Sequence, residues 1–480
     1  MIAHRNISAV ELLEAHLKQI HNLNPILNAI VTLETDRAYG LARKADETLS
    51  RGGSIGPLHG LPIAHKDLTW TKGIRTTFGS RIFEDFVPDQ DALIVTRLTA
   101  AGAITIGKTN TPEFGAGSQT FNELFGATHN PYDTSKTCGG SSGGAAVALA
   151  AGMVPIADGS DLGGSLRNPA SFCNVVGFRP SPGRVPIWPN QAPWFPLGVQ
   201  GPMARTVDDV ALIMSVIAGP DARDPLSLPE NGDIFQQSLS RTFDQTLVAW
   251  SPNLNGLPVD SQVTRVLEDN LSIFESIGCV IEEGCPDLSD AVEVFNTWRA
   301  WYFHLCYGDL LLTKRHLMKD TVIWNIEKGG QLTGPDLGKA THAWHRIQEN
   351  ISQFMARYEY FILPVSQVPP FDIRLPYVTS IAGIAMNSYL DWMRTCTHVS
   401  VLGLPAISVP FGFTPNGLPI GIQIVGRRHN DYGVLQLAHA IQRAIPTEQH
   451  RPEMKNRASR QIDHHVVTSH TSANPSKAST

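Results

Sequence analysis

The sequence lacks the features that typically mark a membrane or secreted protein. No apolar run approaches the roughly 18 residues that a transmembrane helix needs, and residues 1–6 do not have the form of a signal peptide. The cysteines form no C-x-x-C pair and no regular framework, so we interpret them as reduced thiols of a cytoplasmic protein. They stand at positions 138, 173, 279, 285, 306 and 396.

The sequence also has little charge imbalance. Its 38 basic and 44 acidic residues give a formal net charge of −6, which provides no reason to expect nucleic acid or an anionic membrane as a partner. It contains no H-E-x-x-H motif, no Cys/His cluster and no G-x-G-x-x-G after a strand, so we expect neither a metal nor an organic cofactor. A homodimer is left open.

One stretch fits a nucleotide-binding pattern, but its composition argues against that function. Gly102 to Thr109 matches the P-loop pattern G-x4-G-K-T. In a true P-loop the intervening residues form a loop whose N–H groups wrap phosphates. Here they are Ala-Ile-Thr-Ile, which favours a strand, and Asn-Thr-Pro follows where a helix should begin.

What is present indicates a large globular α/β protein. Hydrophobic residues make up 42% of the 480-residue chain and charged residues 17%, as expected for an ordinary soluble core. Strand-like stretches at 61–67 and 103–106 alternate with a helical stretch at 92–101, which predicts a mainly parallel sheet. The 285–395 region is irregular and aromatic, and a minority of its rings are expected to line a pocket.

The most informative stretch runs from residue 137 to residue 183. It contains two Gly-Gly-Ser turns, which end at Ser141 and Ser165 and lie 24 residues apart. Glycine lets the backbone approach a ligand closely, at an entropic cost. The alternative interpretation is that the two turns are flexible loops. Because the entropic cost of glycine is incurred at both turns, a binding or catalytic site is favoured.

A serine hydroxyl is a poor nucleophile unless a neighbouring base takes its proton. Neither Gly-Ser turn fits the hydrolase pattern G-x-S-x-G. Lysine is an alternative base, but it must be neutral, which requires burial or a cationic neighbour. Lys66 is the natural candidate because it ends an apolar strand, although an ion pair with Asp67 would also explain it.

Three segments together resemble the amidase signature family of hydrolases: GPLHGLPIAHKD at 56–67, GGSSGG at 139–144 and SDLGGSLRNPASFCNVVGFRPSPGRVP at 160–186. GKTNTPEF at 107–114, GPMART at 201–206 and GLPAISVPFG at 403–412 are similar to further family segments. The resemblance implies a single large α/β domain over 1–449, with a central mixed sheet flanked by helices on both faces. Its core motifs would span 56–186, and a variable region at about 285–395 would roof the site. The polar composition of 450–480 predicts a disordered tail.

The resemblance also implies a Ser–cisSer–Lys triad. By motif position the nucleophile is Ser165, the bridging serine is Ser141 after a cis Gly140–Ser141 bond, and the base is Lys66. Backbone N–H groups of Leu162, Gly163, Gly164 and Ser165 would form the oxyanion hole.

Three positions depart from the family pattern. Cys138 stands where proline is common, and a small buried filler is favoured there over a catalytic thiol. His65 replaces a more usual aliphatic residue, and it would either tune the pKa of Lys66 or cap a cavity. Ser160 replaces a frequent threonine, and either hydroxyl would support the oxyanion turn.

The implied reaction is hydrolysis of a C–N amide bond through an acyl-enzyme, without a cofactor. A small aryl or aliphatic amide or a carbamate is the first expected substrate. The alternative is the glutaminase component of a tRNA-dependent amidotransferase, and the third option is a non-catalytic binding protein on the same fold.

Overall fold

An eleven-stranded sheet forms the centre of the computed structural model, which describes residues 1–445 and 450–454. The strands are β1 (Ile30–Leu33), β2 (Pro62–Lys66), β3 (Ile104–Thr109), β4 (Phe121–Asn122), β5 (Gly126–Ala127), β6 (Ile156–Asp161), β7 (Val176–Arg179), β8 (Val199–Ala204), β9 (Thr246–Trp250), β10 (Cys279–Glu283), β11 (Tyr360–Pro364), β12 (Ser380–Ile381), β13 (Ile384–Ala385), β14 (Ala406–Phe413) and β15 (Pro419–Gly426). The central sheet has the order β1-β3-β2-β6-β8-β7-β14-β15-β11-β9-β10, and β4-β5 and β12-β13 form separate ribbons.

The central sheet is mixed. Its parallel pairs are β2–β3, β2–β6, β9–β10 and β9–β11, and the remaining pairs are antiparallel. The expectation of a mainly parallel sheet was therefore wrong, and the mixed sheet implied by the family resemblance is confirmed. Alternating strands and helices predict local βαβ units, but β8 pairs antiparallel with both β6 and β7, and β14 pairs antiparallel with both β7 and β15.

Helices cover both faces of this sheet. They are α1 (Ala9–Leu27), α2 (Thr35–Ser50), α3 (Leu93–Ala100), α4 (Gly143–Ala150), α5 (Arg167–Phe172), α6 (Val207–Ile217), α7 (Ser261–Glu268), α8 (Ser272–Ser276), α9 (Ala291–Lys314), α10 (Asp320–Gly330), α11 (Gly334–Arg357), α12 (Arg394–Leu402) and α13 (Asp431–Ala444). Within the described residues, none of these helices is long and apolar enough to cross a membrane.

Alternate strand residues supply the two layers of core. In β11, Tyr360 and Ile362 belong to the same core cluster as residues of α3, α6 and α13, whereas Phe361 and Leu363 belong to the cluster that contains residues of α9, α11 and α12. A third cluster joins α1, α2 and α4 to β2 and β3. Since side chains alternate across a strand, both faces of the strands are buried, and the chain forms a single α/β domain.

The 285–395 region is more regular than its composition suggested, because it contains the long helices α9 and α11 and the shorter α10. Residues 450–454, at the start of the predicted tail, lie against the body, where the Tyr132 hydroxyl donates to the carbonyl oxygen of His450 at 2.7 Å. Residues 455–480, the rest of that tail, lie outside the described residues.

Three elements meet at one edge of the sheet. The parallel strands β2 and β6 end there, at Lys66 and Asp161. The helix α4 begins at Gly143, directly after Ser141 and Ser142. Because the carboxyl ends of parallel strands meet at a common edge, Lys66 is brought close to both Gly-Gly-Ser turns.

Candidate active site

Lys66 is surrounded by serine hydroxyls. Its side-chain nitrogen Nζ lies 2.8 Å from Ser141 Oγ, 2.9 Å from Ser142 Oγ and 3.1 Å from Ser160 Oγ. The lysine is fully buried, and no salt bridge joins it to a carboxylate among the described residues. The alternative ion pair with Asp67 is therefore not formed, and the Asp67 carboxylate instead accepts hydrogen bonds from Thr77.

The environment of Lys66 favours its neutral form. Burial lowers the pKa of Lys66 to about 7, against the opposing attraction of the Asp161 and Asp158 carboxylates. A lysine in this range is substantially neutral near physiological pH, as a general base must be. The burial of Lys66 therefore supplies the condition that the sequence alone left open, namely that a lysine must be neutral to act as a base.

The second Gly-Gly-Ser turn lies against the first. The Ser142 N–H donates to the carbonyl oxygen of Ser165 at 3.1 Å, and the peptide bond between Gly140 and Ser141 is cis, as expected. Ser165 is 7% exposed, whereas Lys66 is 0% exposed, so the predicted nucleophile is the more accessible of the two. Ser165 Oγ makes no hydrogen bond to another described residue, Ser141 included.

A buried carboxylate shapes the turn that carries Ser165. Asp161 accepts hydrogen bonds from the backbone N–H of Gly164 at 2.8 Å and from that of Leu166 at 3.1 Å. It also accepts from Arg167 at 2.9 and 3.0 Å and from Arg179 at 3.3 Å. Burial alone would raise the pKa of Asp161, but the two guanidinium groups hold it well below its usual range. The turn is therefore held by an ionised carboxylate.

The hydrogen bonds to Asp161 divide the predicted oxyanion donors into one that is occupied and three that are not. The Gly164 N–H is occupied by Asp161, so it is not free for an oxyanion in this structure. The N–H groups of Leu162, Gly163 and Ser165 make no hydrogen bond to another described residue. These three N–H groups lie in the turn that carries Ser165 and stay the candidates for the predicted oxyanion hole.

Glycine is required at this turn because neighbouring helices press against it. A Cβ on Gly163 would lie 2.8 Å from Cζ of Phe295 on α9, and one on Gly164 would lie 2.5 Å from Cβ of Cys396 on α12. Gly164 also has a φ of +114°, which side-chain-bearing residues rarely adopt. The packing of α9 on the turn agrees with the predicted roof, whose boundaries stay a prediction.

Two of the three positions that depart from the family pattern, His65 and Cys138, lie outside the group of serine hydroxyls around Lys66. His65 Nδ1 lies 3.0 Å from Asp158 Oδ1 and its Nε2 lies 3.1 Å from Thr105 Oγ1, so the ring belongs to a buried network beside Lys66. Cys138 is fully buried, and burial raises the pKa of its thiol to about 12, which favours a packing role over a nucleophilic one.

The comparison with known proteins decides the family. The model of the Amidase family matches residues 11–435. The chain belongs to the amidase signature family. It is an amide-cleaving hydrolase, as the resemblance of its motifs implied.

Relatives of this amidase cover almost its whole length. An acylamidase of Rhodococcus erythropolis is 36% identical over 94% of this chain and 95% of its own. The A subunit of the glutamyl-tRNA(Gln) amidotransferase of Synechococcus sp. (strain CC9605) is 34% identical over 93% and 95%. The crystal structure of a bacterial aryl acylamidase of the amidase signature enzymes superposes with a TM-score of 0.87 at 27% identity, covering 93% of this chain and 95% of that one.

Sequence reasoning missed part of the amidase site. It did not assign Ser142 a contact with Lys66, although Ser142 follows Ser141 directly. It also gave no role to Asp161 or to its arginine partners. The sequence did carry a signal for this role. Asp161 and Arg167 lie within the segment SDLGGSLRNP and Arg179 follows it, and charged residues among small apolar ones are rarely buried without a partner.

Replacing Asp161 with Asn tests how far the amidase turn depends on this carboxylate. The variant keeps the shape but leaves Arg167 and Arg179 buried without their anion, so the free energy of unfolding is expected to fall by about 3–5 kcal/mol. Urea unfolding monitored by circular dichroism measures this change. The surface variant Asp372→Asn should change it little, and an equally small effect at Asp161 would contradict the structural role.

Proposed function

We propose that this amidase cleaves a C–N amide bond through an acyl-enzyme on Ser165, with Ser141 relaying a proton to Lys66. The observation that carries the proposal is the 2.8 Å contact between Ser141 Oγ and the buried, carboxylate-free Nζ of Lys66. A serine next to a base is the general arrangement for an activated nucleophile. Membership of the family supports the amide as the bond that is cleaved.

The proton inventory of Lys66 fits this role. A neutral amine has two N–H donors and one lone pair, whereas the ammonium form has three donors. Ser142 and Ser160 can accept the two N–H bonds, which leaves the lone pair for the hydroxyl proton of Ser141. The two extra serines therefore orient the base.

The reaction then proceeds in two steps. Ser165 Oγ bonds to the substrate carbonyl carbon while its proton moves to Ser141 and the Ser141 proton moves to Lys66. The N–H groups of Leu162, Gly163 and Ser165 hold the oxyanion, and the proton returns to the amine as the C–N bond breaks. Water then attacks the acyl-enzyme through the same relay, which releases the acid and the free serine. The first step requires Ser165 Oγ to turn toward Ser141, and catalytic hydrogen bonds commonly tighten in the substrate complex.

A small aryl or aliphatic amide, or a carbamate, is the proposed substrate class. The similar acylamidase and aryl acylamidase support an acyl amide with an aromatic amine. The aromatic ring of Phe295 beside Gly163 supplies an apolar wall next to the nucleophile.

A hydrolysis panel of purified protein tests the substrate class. Anilides, short aliphatic amides and carbamates are expected to be cleaved, with glutamine the poorer substrate. Product release is followed by liquid chromatography, and Ser165→Ala provides the blank. Activity on glutamine alone would contradict the proposed class.

The relatives from amidotransferases favour a second candidate, the glutaminase component of a tRNA-dependent amidotransferase. That function predicts co-purification with the other components of such a complex and release of ammonia from glutamine. A fluorophosphonate probe separates both enzymes from a non-catalytic binding protein, because only an activated serine is labelled.

A further inference from the structure

Arg299 is a buried cation without an anion. It lies on α9 and is 4% exposed, and no carboxylate forms a salt bridge with it among the described residues. Its Nε is buried and makes no hydrogen bond to another described residue. A buried guanidinium in this condition is costly, and such groups are normally compensated by a negative partner. The Arg299 side chain can therefore still bind a negatively charged partner.

Aromatic rings hold this guanidinium in place without satisfying its donors. Its central carbon lies 4.4 Å from the ring centroid of Phe303 and 5.8 Å from that of Tyr389. Ring faces attract a cation but do not accept several N–H bonds. Among the described residues, its one side-chain hydrogen bond runs from Nη2 to the Tyr389 hydroxyl oxygen at 2.9 Å.

The Tyr389 hydroxyl has a donor to spare. Its oxygen accepts from Arg299 and also from Asn325 Nδ2 at 2.5 Å, so both lone pairs are used. The hydroxyl hydrogen is bonded to no acceptor among the described residues. Arg299 and Tyr389 thus present a positive charge and free donors side by side, which suits a ligand group that is anionic and accepts only.

Two separate contacts place this pair beside the proposed active site. Phe295 lies one helical turn before Arg299 on α9 and packs at Gly163, in the turn that carries the nucleophile. On the other side, a Cβ on Gly117 would lie 3.7 Å from the Tyr389 ring, and a Cβ on Gly115 would lie 3.3 Å from Ser141 Oγ. Arg299 is therefore one helical turn from a residue that packs on the second Gly-Gly-Ser turn, and Tyr389 contacts a glycine two residues from the one beside Ser141.

We propose that Arg299 and Tyr389 form a specificity subsite for a carboxylate carried by the amide substrate. The proposal rests on the amide hydrolysis proposed above and narrows its substrate class to amides with an acidic group. A carboxylate accepts from a guanidinium and a phenol at once through charge-assisted hydrogen bonds. It would supply the missing negative charge for Arg299 and the missing acceptor for Tyr389.

Two matched substrate pairs test the subsite by kinetics. N-phenylsuccinamate and butyranilide differ by a carboxylate on the acyl side, and para-acetamidobenzoate and acetanilide differ by one on the amine side. In at least one pair the acidic member should have a kcat/KM about tenfold or more above its neutral partner. Arg299→Met should lower that value about tenfold to hundredfold and change the neutral member less than about threefold. Tyr389→Phe should act in the same direction. The surface variant Arg374→Met should change the kcat/KM of neither the acidic nor the neutral member.

Binding to the Ser165→Ala protein tests the subsite without turnover. Calorimetry should show tighter binding of the acidic member, and adding Arg299→Met should remove the difference. Equal affinity within both pairs, or a parallel loss for acidic and neutral compounds, would overturn the subsite. If the wild type cleaves none of the four compounds while the binding difference is present, the proposed reaction fails and the subsite stands. Should Arg299→Met fail to fold, Tyr389→Phe and Arg299→Lys decide by the same binding difference.

Discussion

Replacing Ser165 with Ala is expected to lower kcat on the order of 10⁴–10⁶-fold, as removal of a nucleophile does in other serine hydrolases. Without its Oγ no acyl-enzyme forms, whereas the turn is held by the Asp161 carboxylate through Gly164 and Leu166 rather than by the hydroxyl of Ser165. The fold should therefore persist. Steady-state kinetics on the best substrate of the panel and thermal melting of the same preparation measure the two effects.

Ser181→Ala is the matched control for this variant. Ser181 is fully buried in the same 160–186 segment, and its hydroxyl makes no hydrogen bond to another described residue. Its removal should leave kcat within about twofold, because no buried partner loses a bond. Turnover by Ser165→Ala at more than about a hundredth of the wild-type rate would show that another group forms the acyl-enzyme.

Replacing Lys66 with Ala is expected to abolish turnover at neutral pH, with a loss on the order of 10⁴-fold or more. The serine relay then has no acceptor for its proton, since Lys66 Nζ is the one hydrogen-bond partner of Ser141 Oγ among the described residues. Lys66→Met should give the same loss with less disturbance of packing, because it keeps most of the side-chain volume. Kinetics at neutral pH and circular dichroism of both variants are the measurements.

Lys339→Ala serves as the surface control for the loss of a lysine, because Lys339 pairs with Glu293 at an exposed position. It should leave kcat unchanged. If Lys66→Ala retained a near-normal kcat at neutral pH, Lys66 would not be the base, and its three serine contacts would have to be structural.

The residues of the site were predictable where local pattern carries the information. Gly163 and Gly164 marked a turn that only glycine fits, and Lys66 stood at the end of an apolar strand. Both features follow from residue types within a few positions. The capping box of Ser8 and Glu11 at the start of α1 was predictable for the same reason and is present.

The remainder depended on contacts between distant parts of the chain. Arg167 reaches Gln423 and the carbonyl oxygen of Cys396, more than 220 positions away, and no local pattern indicates such partners. The strand pairing of the sheet is likewise set by which strands meet, and not by their composition. Pro25 lies in the last turn of α1, which continues to Leu27. Pro25 has no N–H to donate to the carbonyl oxygen of His21, so the helix forgoes one backbone hydrogen bond near its end.

The pH dependence of fluorophosphonate labelling at Ser165 tests the central claim, a serine activated by neutral Lys66, most directly. Burial lowers the pKa of Lys66 to about 7, so the neutral, active fraction falls as the pH drops below that value. The labelling rate, with the site assigned by peptide mass spectrometry, should rise about tenfold per pH unit below about pH 7 and level off above it. It should be lost in Lys66→Ala. Labelling at a residue other than Ser165, or a rate at Ser165 that is independent of both pH and Lys66, would contradict this account.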